Sequence, residues 1–163
     1  MNDAEQRVYE ALDSLGIAYT RHEHPPVFTV QEAERHWENI EATHCKNLFV
    51  RNKKGNNHYL VIVERSKSVD LKRLAVLLGD DRLSFASSDR LERLLGLSPG
   101  AVSPFGLLND AARAVTVVLD KQVTEASRVA FHPNANTATV ALSFADFNRF
   151  LASCGHRVRV LPL

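Results

Sequence analysis

Cys45–Glu64, CKNLFVRNKKGNNHYLVIVE, is the stretch on which the fold turns. Two apolar runs, Cys45 to Arg51 and Tyr59 to Glu64, flank the polar segment Asn52-Lys53-Lys54-Gly55-Asn56-Asn57, and that arrangement predicts a β-hairpin. The second arm, Tyr59-Leu60-Val61-Ile62-Val63, is apolar without alternation, which predicts a central strand covered on both faces.

Reading outward toward the N-terminus, Thr29 and Glu32 match a capping box and predict a short helix through about Trp37. Ile17 to His22 predicts a strand that His24-Pro25-Pro26 ends. Asp3 and Gln6 form another capping box, with Ala4, Val8, Leu12 and Leu15 at helical spacing and Gly16 as the stop. Toward the C-terminus, Asp70 to Leu78 predicts a helix ending at Gly79. Leu83 to Ala86 predicts a short strand, and Ser88 to Leu95 a helix closed by Gly96. Leu97 to Asp110 is irregular. Val115 to Leu119, Val129 to His132, Thr137 to Leu142 and Arg157 to Leu161 predict strands. Ser143 and Asp146 cap a helix that carries Phe144, Phe147, Phe150 and Leu151 and stops at Gly155. Strands interleaved with helices and hairpins predict an α/β domain with a mixed sheet and helices packed on it.

The 163 residues suit one domain spanning 1–163. No apolar run approaches the roughly 20 residues of a membrane span, and the polar first ten residues do not look like a signal peptide. Cys45 and Cys154 then read as two reduced thiols in a cytoplasmic protein. With Lys+Arg 20 against Asp+Glu 19, nucleic acid would be met only through a local patch. Three basic clusters are candidates: Arg51, Lys53 and Lys54; Lys67, Lys72 and Arg73; and Arg90 with Arg93.

Three features could carry chemistry. Lys46 shares a strand face with Leu48 and Val50, the more apolar of the two rows, while Asn47, Phe49 and Arg51 share the other. An ammonium entering a core needs an anion or a dipole, unless it simply snorkels to water. Gly100-Ala101-Val102-Ser103-Pro104 follows Pro99. This constrained loop could offer N–H groups to an oxyanion or hydroxyl, or be only a turn. His132 ends a strand before Pro133-Asn134-Ala135-Asn136, where it could orient a substrate or a water, or donate to loop carbonyls. His22, His24 and His44 lack the paired spacing of structural zinc, so no metal is expected. Cys45 and Lys46 point to opposite faces of a strand and no Cys-His-Asp/Asn order is readable, which argues against a cysteine hydrolase. No Walker loop, dinucleotide fingerprint or nucleophile elbow is present.

Four segments, taken in order, resemble the YbaK/prolyl-tRNA-synthetase-associated editing-domain family, in particular its free-standing Ala-tRNA(Pro) deacylase branch. They are His24-Pro25-Pro26-Val27-Phe28-Thr29-Val30 with Glu32; Cys45-Lys46-Asn47-Leu48-Phe49-Val50; Gly100 to Leu107; and Phe131-His132-Pro133-Asn134. The resemblance covers essentially the whole chain. It implies a mixed, partly barrel-like sheet flanked by helices, with the site in a cleft. It also implies that Lys46, Asn47, Gly100 and His132 are catalytic. Phe28, Thr29 and Val30, with Ala101, Val102, Ser103 and Pro104, would bind the substrate. No cofactor is implied. The implied partner is the acceptor end of tRNA(Pro), with transient contact to prolyl-tRNA synthetase left open. Cys- or Ser-tRNA(Pro) as the substrate, or a non-catalytic tRNA-binding module, are the alternatives.

Overall fold

The computed structural model describes residues 1–26, 31, 35, 37 and 39–163. Its strands, in chain order, are β1 (Tyr19–Glu23), β2 (Thr43–Asn52), β3 (His58–Glu64), β4 (Leu83–Phe85), β5 (Val115–Asp120), β6 (Arg128–Phe131), β7 (Ala138–Ser143) and β8 (Val158–Leu161), with the β2–β3 hairpin at the centre. The antiparallel β2–β3 pair runs from Cys45↔Glu64 to Arg51↔His58. Asn52 closes its turn, the side-chain oxygen accepting from the Asn56 and Asn57 amides at 3.1 and 3.0 Å. Gly55 supplies the left-handed backbone there, at φ 74°.

β3 is central and buried on both faces, as its unbroken apolar run predicts. It lies parallel to β5, which lies parallel to β8. On the other side, β2 pairs antiparallel with β4 and parallel with β6, and β6–β7–β1 continue antiparallel. The eight-stranded sheet has the order β1-β7-β6-β2-β3-β5-β8, with β4 on β2. Among the described residues the path ends at β1 and β8.

The helices are α1 (Asp3–Ser14), α2 (Leu71–Leu78), α3 (Ser88–Leu95), the short α4 (Lys121–Thr124) and α5 (Phe144–Cys154). α2, α3 and α5 end in Gly79, Gly96 and Gly155, and Ser143 caps α5 by accepting from the Asp146 amide, all as the sequence predicts. The cap of α1 differs. Asn2, in extended conformation, accepts from the Glu5 amide at 2.8 Å, and Asp3 is already helical. A cap needs non-helical backbone, and here the chain provides it one residue earlier than the capping-box spacing suggests. Glu5 is 1% exposed and accepts from Tyr9 Oη at 2.7 Å and Arg21 Nε at 2.8 Å, tying α1 to β1. Of the capping box that predicts a helix through Trp37, Thr29 and Glu32 lie outside the described residues, whereas Gln31, Arg35 and Trp37 are helical.

The large core holds residues of α1, α3 and α5 with Phe105 and Phe131; Phe105 meets Phe131 and Phe150 edge-on. A second core places Val50, Val61 and Val63 under Leu74 and Leu78 of α2. A third is small: Trp37, Ile40, Ala130 and Ala141. This division revises one expectation. The row of Cys45 and Phe49 enters the large core, while that of Val50 enters the second one. Arg51 makes the first row look polar in sequence, but it stands beyond the core, at the turn. Among the described residues no helix is long and apolar enough to cross a membrane.

Candidate active site

The parallel pairing of β2 with β6 lasts for two residue pairs only, Thr43↔Val129 and His44↔Ala130. From Cys45 onward β2 takes up β3 instead. In α/β sheets the carboxyl ends of parallel strands that part company are a preferred place for ligands. Two residues past the last shared pair stand Lys46 on one strand and His132 just beyond the other.

Lys46 is half-buried and, among the described residues, has no hydrogen-bond or ion-pair partner. The opposite face of β2 carries Asn47, whose Nδ2 reaches toward the Val102 carbonyl at 3.5 Å. Its Oδ1 is buried without a partner.

The loop that Asn47 touches begins with a 3-10 turn at Pro99–Ala101. The Ala101 amide is spent on Ser98 O at 3.0 Å, but Gly100 is exposed and its N–H belongs to the first turn, which has no acceptor within its own helix. Val102 is half-buried; Ala101, Ser103 and Pro104 are buried. Ser103 Oγ accepts from the Phe105 amide at 3.0 Å, capping a second 3-10 helix, Pro104–Asn109. Behind it, a Cβ on Gly106 would stand 2.6 Å from Leu97 Cδ1 and 3.1 Å from the Leu95 carbonyl oxygen, so the loop is seated without slack.

His132 Nδ1 lies 3.0 Å from the Ala138 carbonyl. A carbonyl only accepts, so Nδ1 carries the proton and Nε2 keeps a lone pair. Burial, and after it the neighbouring His24, holds the imidazole below its ordinary range against the pull of the Ala138 carbonyl. Behind the ring lies a network that the sequence did not single out. Trp37 Nε1–H donates to Thr139 Oγ1 at 3.3 Å, and Thr139 sits 2.9 Å from His24 Nε2. His24 Nδ1 donates to the Pro25 carbonyl at 2.9 Å, so the Thr139 hydroxyl must donate to Nε2. Trp37 stacks on His44 at 4.6 Å and carries the Arg65 guanidinium 5.2 Å from its ring. The lone tryptophan and the His-Pro-Pro segment were the available signals, but their partner Thr139 is remote in sequence.

Gly100 and Ala101 also share a groove of about 540 Å³ with Pro26, Asn134, Asn136 and Thr137. The structure thus joins the Gly100 loop to the segment after His132. Asn134 is left-handed, at φ 59°, and its Oδ1 is another buried oxygen without a partner. Phe28, Thr29 and Val30 lie outside the described residues. Among the described residues no cluster of His, Cys, Asp or Glu could hold a metal ion. Cys45 is buried in the large core, and burial together with the Glu64 charge pushes its thiol up to about 12, which disqualifies it as a nucleophile. Lys46, His132 and the Gly100 loop would supply a cation, an imidazole acceptor and an amide donor. These are groups for polarising and orienting an ester and a water, rather than for attacking one covalently.

The family model of the aminoacyl-tRNA editing domain matches residues 24–150. The chain is 46% identical, over 99% of its own length and 98% of the relative's, to the prolyl-tRNA editing protein ProX of Acetoanaerobium sticklandii. It is 36% identical to the prolyl-tRNA synthetase associated domain-containing protein 1 of Xenopus laevis, covering 94% of each chain. A solved structure of a candidate trans-editing enzyme for prolyl tRNA synthetase superposes with TM-score 0.72 at 23% identity, over 99% of this chain and 98% of that one, and shares the fold. Family match and whole-length similarity agree: the chain belongs to the aminoacyl-tRNA editing domain family.

Proposed function

We propose that this protein hydrolyses misacylated tRNA(Pro) in trans and that the amino acid it removes is alanine. The observation that carries the reading is the parting of β2 from β6, with unpaired Lys46 and His132 each two residues beyond it and the Gly100 loop joined to β2 through Asn47 and Val102. Whole-length similarity to a protein named for prolyl-tRNA editing supports the tRNA; the motif resemblance around Phe28-Thr29-Val30 supports alanine.

The scissile bond is the ester between an amino acid and the terminal ribose. Water adds to the carbonyl carbon, the carbon–oxygen bond to ribose breaks, and the ribose oxygen takes a proton. In this reading Lys46 compensates the terminal phosphate or the negative charge that develops on the carbonyl oxygen. The Gly100 N–H grips a ribose hydroxyl or that same oxygen. His132 Nε2 accepts from the water or from the free ribose hydroxyl, which helps activate the water, and Asn47 holds the Val102 end of the loop. Selection is steric. A site built for proline rejects alanine by only roughly 1–3 kcal/mol per methylene, so a second site too small for proline is needed to correct the error.

The test is deacylation of Ala-tRNA(Pro) beside Pro-tRNA(Pro) and Ala-tRNA(Ala). Loss of the first alone supports both parts of the specificity. Loss of Cys- or Ser-tRNA(Pro) instead would overturn alanine, and loss of none would favour a binding module.

A further inference from the structure

At the far end of β2 from Lys46, two arginines from different elements converge on one turn. Arg51 Nη2, from β2, and Arg90 Nη2, from α3, each lie 3.0 Å from where a Cβ of Gly55 would stand. Two groups that share such a point are at most about 6 Å apart, a separation at which like charges repel unless an anion intervenes. Arg90 Nη1 is spent on Gly55 O at 3.2 Å and on His58 Nε2 at 2.9 Å, and Arg51 on the carbonyls of Asn52 and Lys53, each at 3.1 Å. Those bonds fix the two guanidinium planes without neutralising them. Among the described residues, no carboxylate lies within ion-pair distance of Arg51, Arg90 or Arg93. Burial, and then the fields of Arg90, Arg93 and Arg51, push the pKa of His58, the buried group between them, below its ordinary value, against the charge of Asp110. Lys53 and Lys54 are exposed on the same turn. The acidic groups nearby are Asp89 and Glu92 of α3, both exposed; Asp80, which accepts from the Asn52 and Asn57 side chains at 3.1 and 2.9 Å; Asp81, which accepts from the Lys53 amide at 2.7 Å; and Asp110, whose charge reaches His58. The sequence scatters these cations over two of its three basic clusters; the fold gathers them.

We infer that Arg51 and Arg90, with Arg93, Lys53 and Lys54 around them, form a phosphodiester-binding site for the RNA backbone of the substrate. The inference rests on the deacylase reading for the identity of the RNA. Both carrying elements lead back to the candidate site: β2 runs from Arg51 to Asn47, which shares its face and meets the Gly100 loop at Val102, and on to Lys46 on the other face, while α3 precedes that loop in the chain. Five residues of strand span roughly 17 Å. At about 3.4 Å of rise per stacked nucleotide, that is about five nucleotides. The site therefore reads no base and grips backbone about five nucleotides inward from the esterified end, setting how far the acceptor end can reach into the candidate site.

The experiment crosses protein charge with RNA length. Arg51→Gln/Arg90→Gln, which keeps side-chain hydrogen bonding at the turn, and Lys53→Gln/Lys54→Gln, where packing is not at stake, are compared with the unaltered protein. One substrate is an aminoacylated acceptor-stem minihelix, and the other an aminoacylated trinucleotide too short to reach the arginines. The expected result is a KM raised about tenfold on the minihelix by the arginine pair, less by the lysine pair, with kcat unchanged and no effect on the trinucleotide. The salt slope of uncharged tRNA(Pro) binding should become shallower by roughly 1.5 when the arginine pair is lost. Equal losses on both substrates would make the arginines props of the fold and overturn the site, as would no loss on either with an unchanged slope. If the unaltered protein hydrolysed neither substrate, the deacylase reading would fail, while the salt slope would still decide the phosphate site.

Discussion

His132 and Ala138 are joined by a 3.0 Å hydrogen bond from imidazole Nδ1 to the backbone carbonyl, and that bond decides what the histidine can do. The ring presents an acceptor at Nε2 only while it is neutral. Its folded pKa lies below the ordinary value of about 6.5 because burial disfavours the cation. kcat/KM should therefore be flat through neutrality and fall on an acid limb with its midpoint below 6.5. An acid limb centred above 7 would show that His132 is not the group. Stability follows the same sign. The unfolded chain takes up its proton first, so stability is lost as pH falls from about 6.5 through the lowered folded value. Melting at pH 7.5 and pH 5 checks this.

Lys46 has no protein partner among the described residues, so replacing it removes a charge without orphaning another. Lys46→Ala should lower kcat/KM at least about a hundredfold, the usual cost of one donor to developing charge. Stability should stay within about 1 kcal/mol of the parent by urea unfolding. Activity retained in a folded Lys46→Ala protein would remove it from the site.

The Thr139 hydroxyl accepts from Trp37 and donates to His24 in a buried position. Thr139→Val keeps the shape and strands both neighbours. A loss of about 1–3 kcal/mol is expected, read as a lower urea midpoint. A neutral substitution would mean that the network is decorative.

Gly106→Ala would drive a methyl group into Leu97 and against the Leu95 carbonyl. Overpacking of that kind costs about 1–3 kcal/mol. Because Gly106 seats the 3-10 helix that follows the Gly100 loop, kcat should fall with the melting temperature. Reduced stability with full kcat would separate the loop from catalysis.

Cys45 should resist alkylation at pH 8, since burial keeps its thiol up to about 12, while half-buried Cys154 reacts slowly. Iodoacetamide should leave deacylation intact. Inactivation that tracks modification of Cys45 would revive covalent catalysis.

The hairpin, the glycine-stopped helices and the double-covered β3 were legible in the sequence, since each depends on a local pattern: an apolar run, a cap, a residue free to turn left-handed. The cap of α1 was misread by one residue because side-chain spacing does not specify which backbone is extended. The two rows of β2 were ranked by residue type, yet Phe49 and Cys45 lead into the larger core because α1, α3 and α5 cover that face, and those helices come from remote parts of the chain.

By itself the sequence determined the mixed α/β class, most element boundaries and the short list holding Lys46, Asn47, Gly100 and His132. These follow from local propensity, periodicity and motif resemblance. Only the tertiary structure decided that β2 leaves β6 after His44, with Lys46 and His132 each two residues beyond the last shared pair, and that Thr139 bridges Trp37 to His24. It alone drew Arg51 and Arg90 to the same glycine. Strand order and helix placement are settled by which buried faces complement one another over the whole chain, and that information is not contained in any single stretch of it.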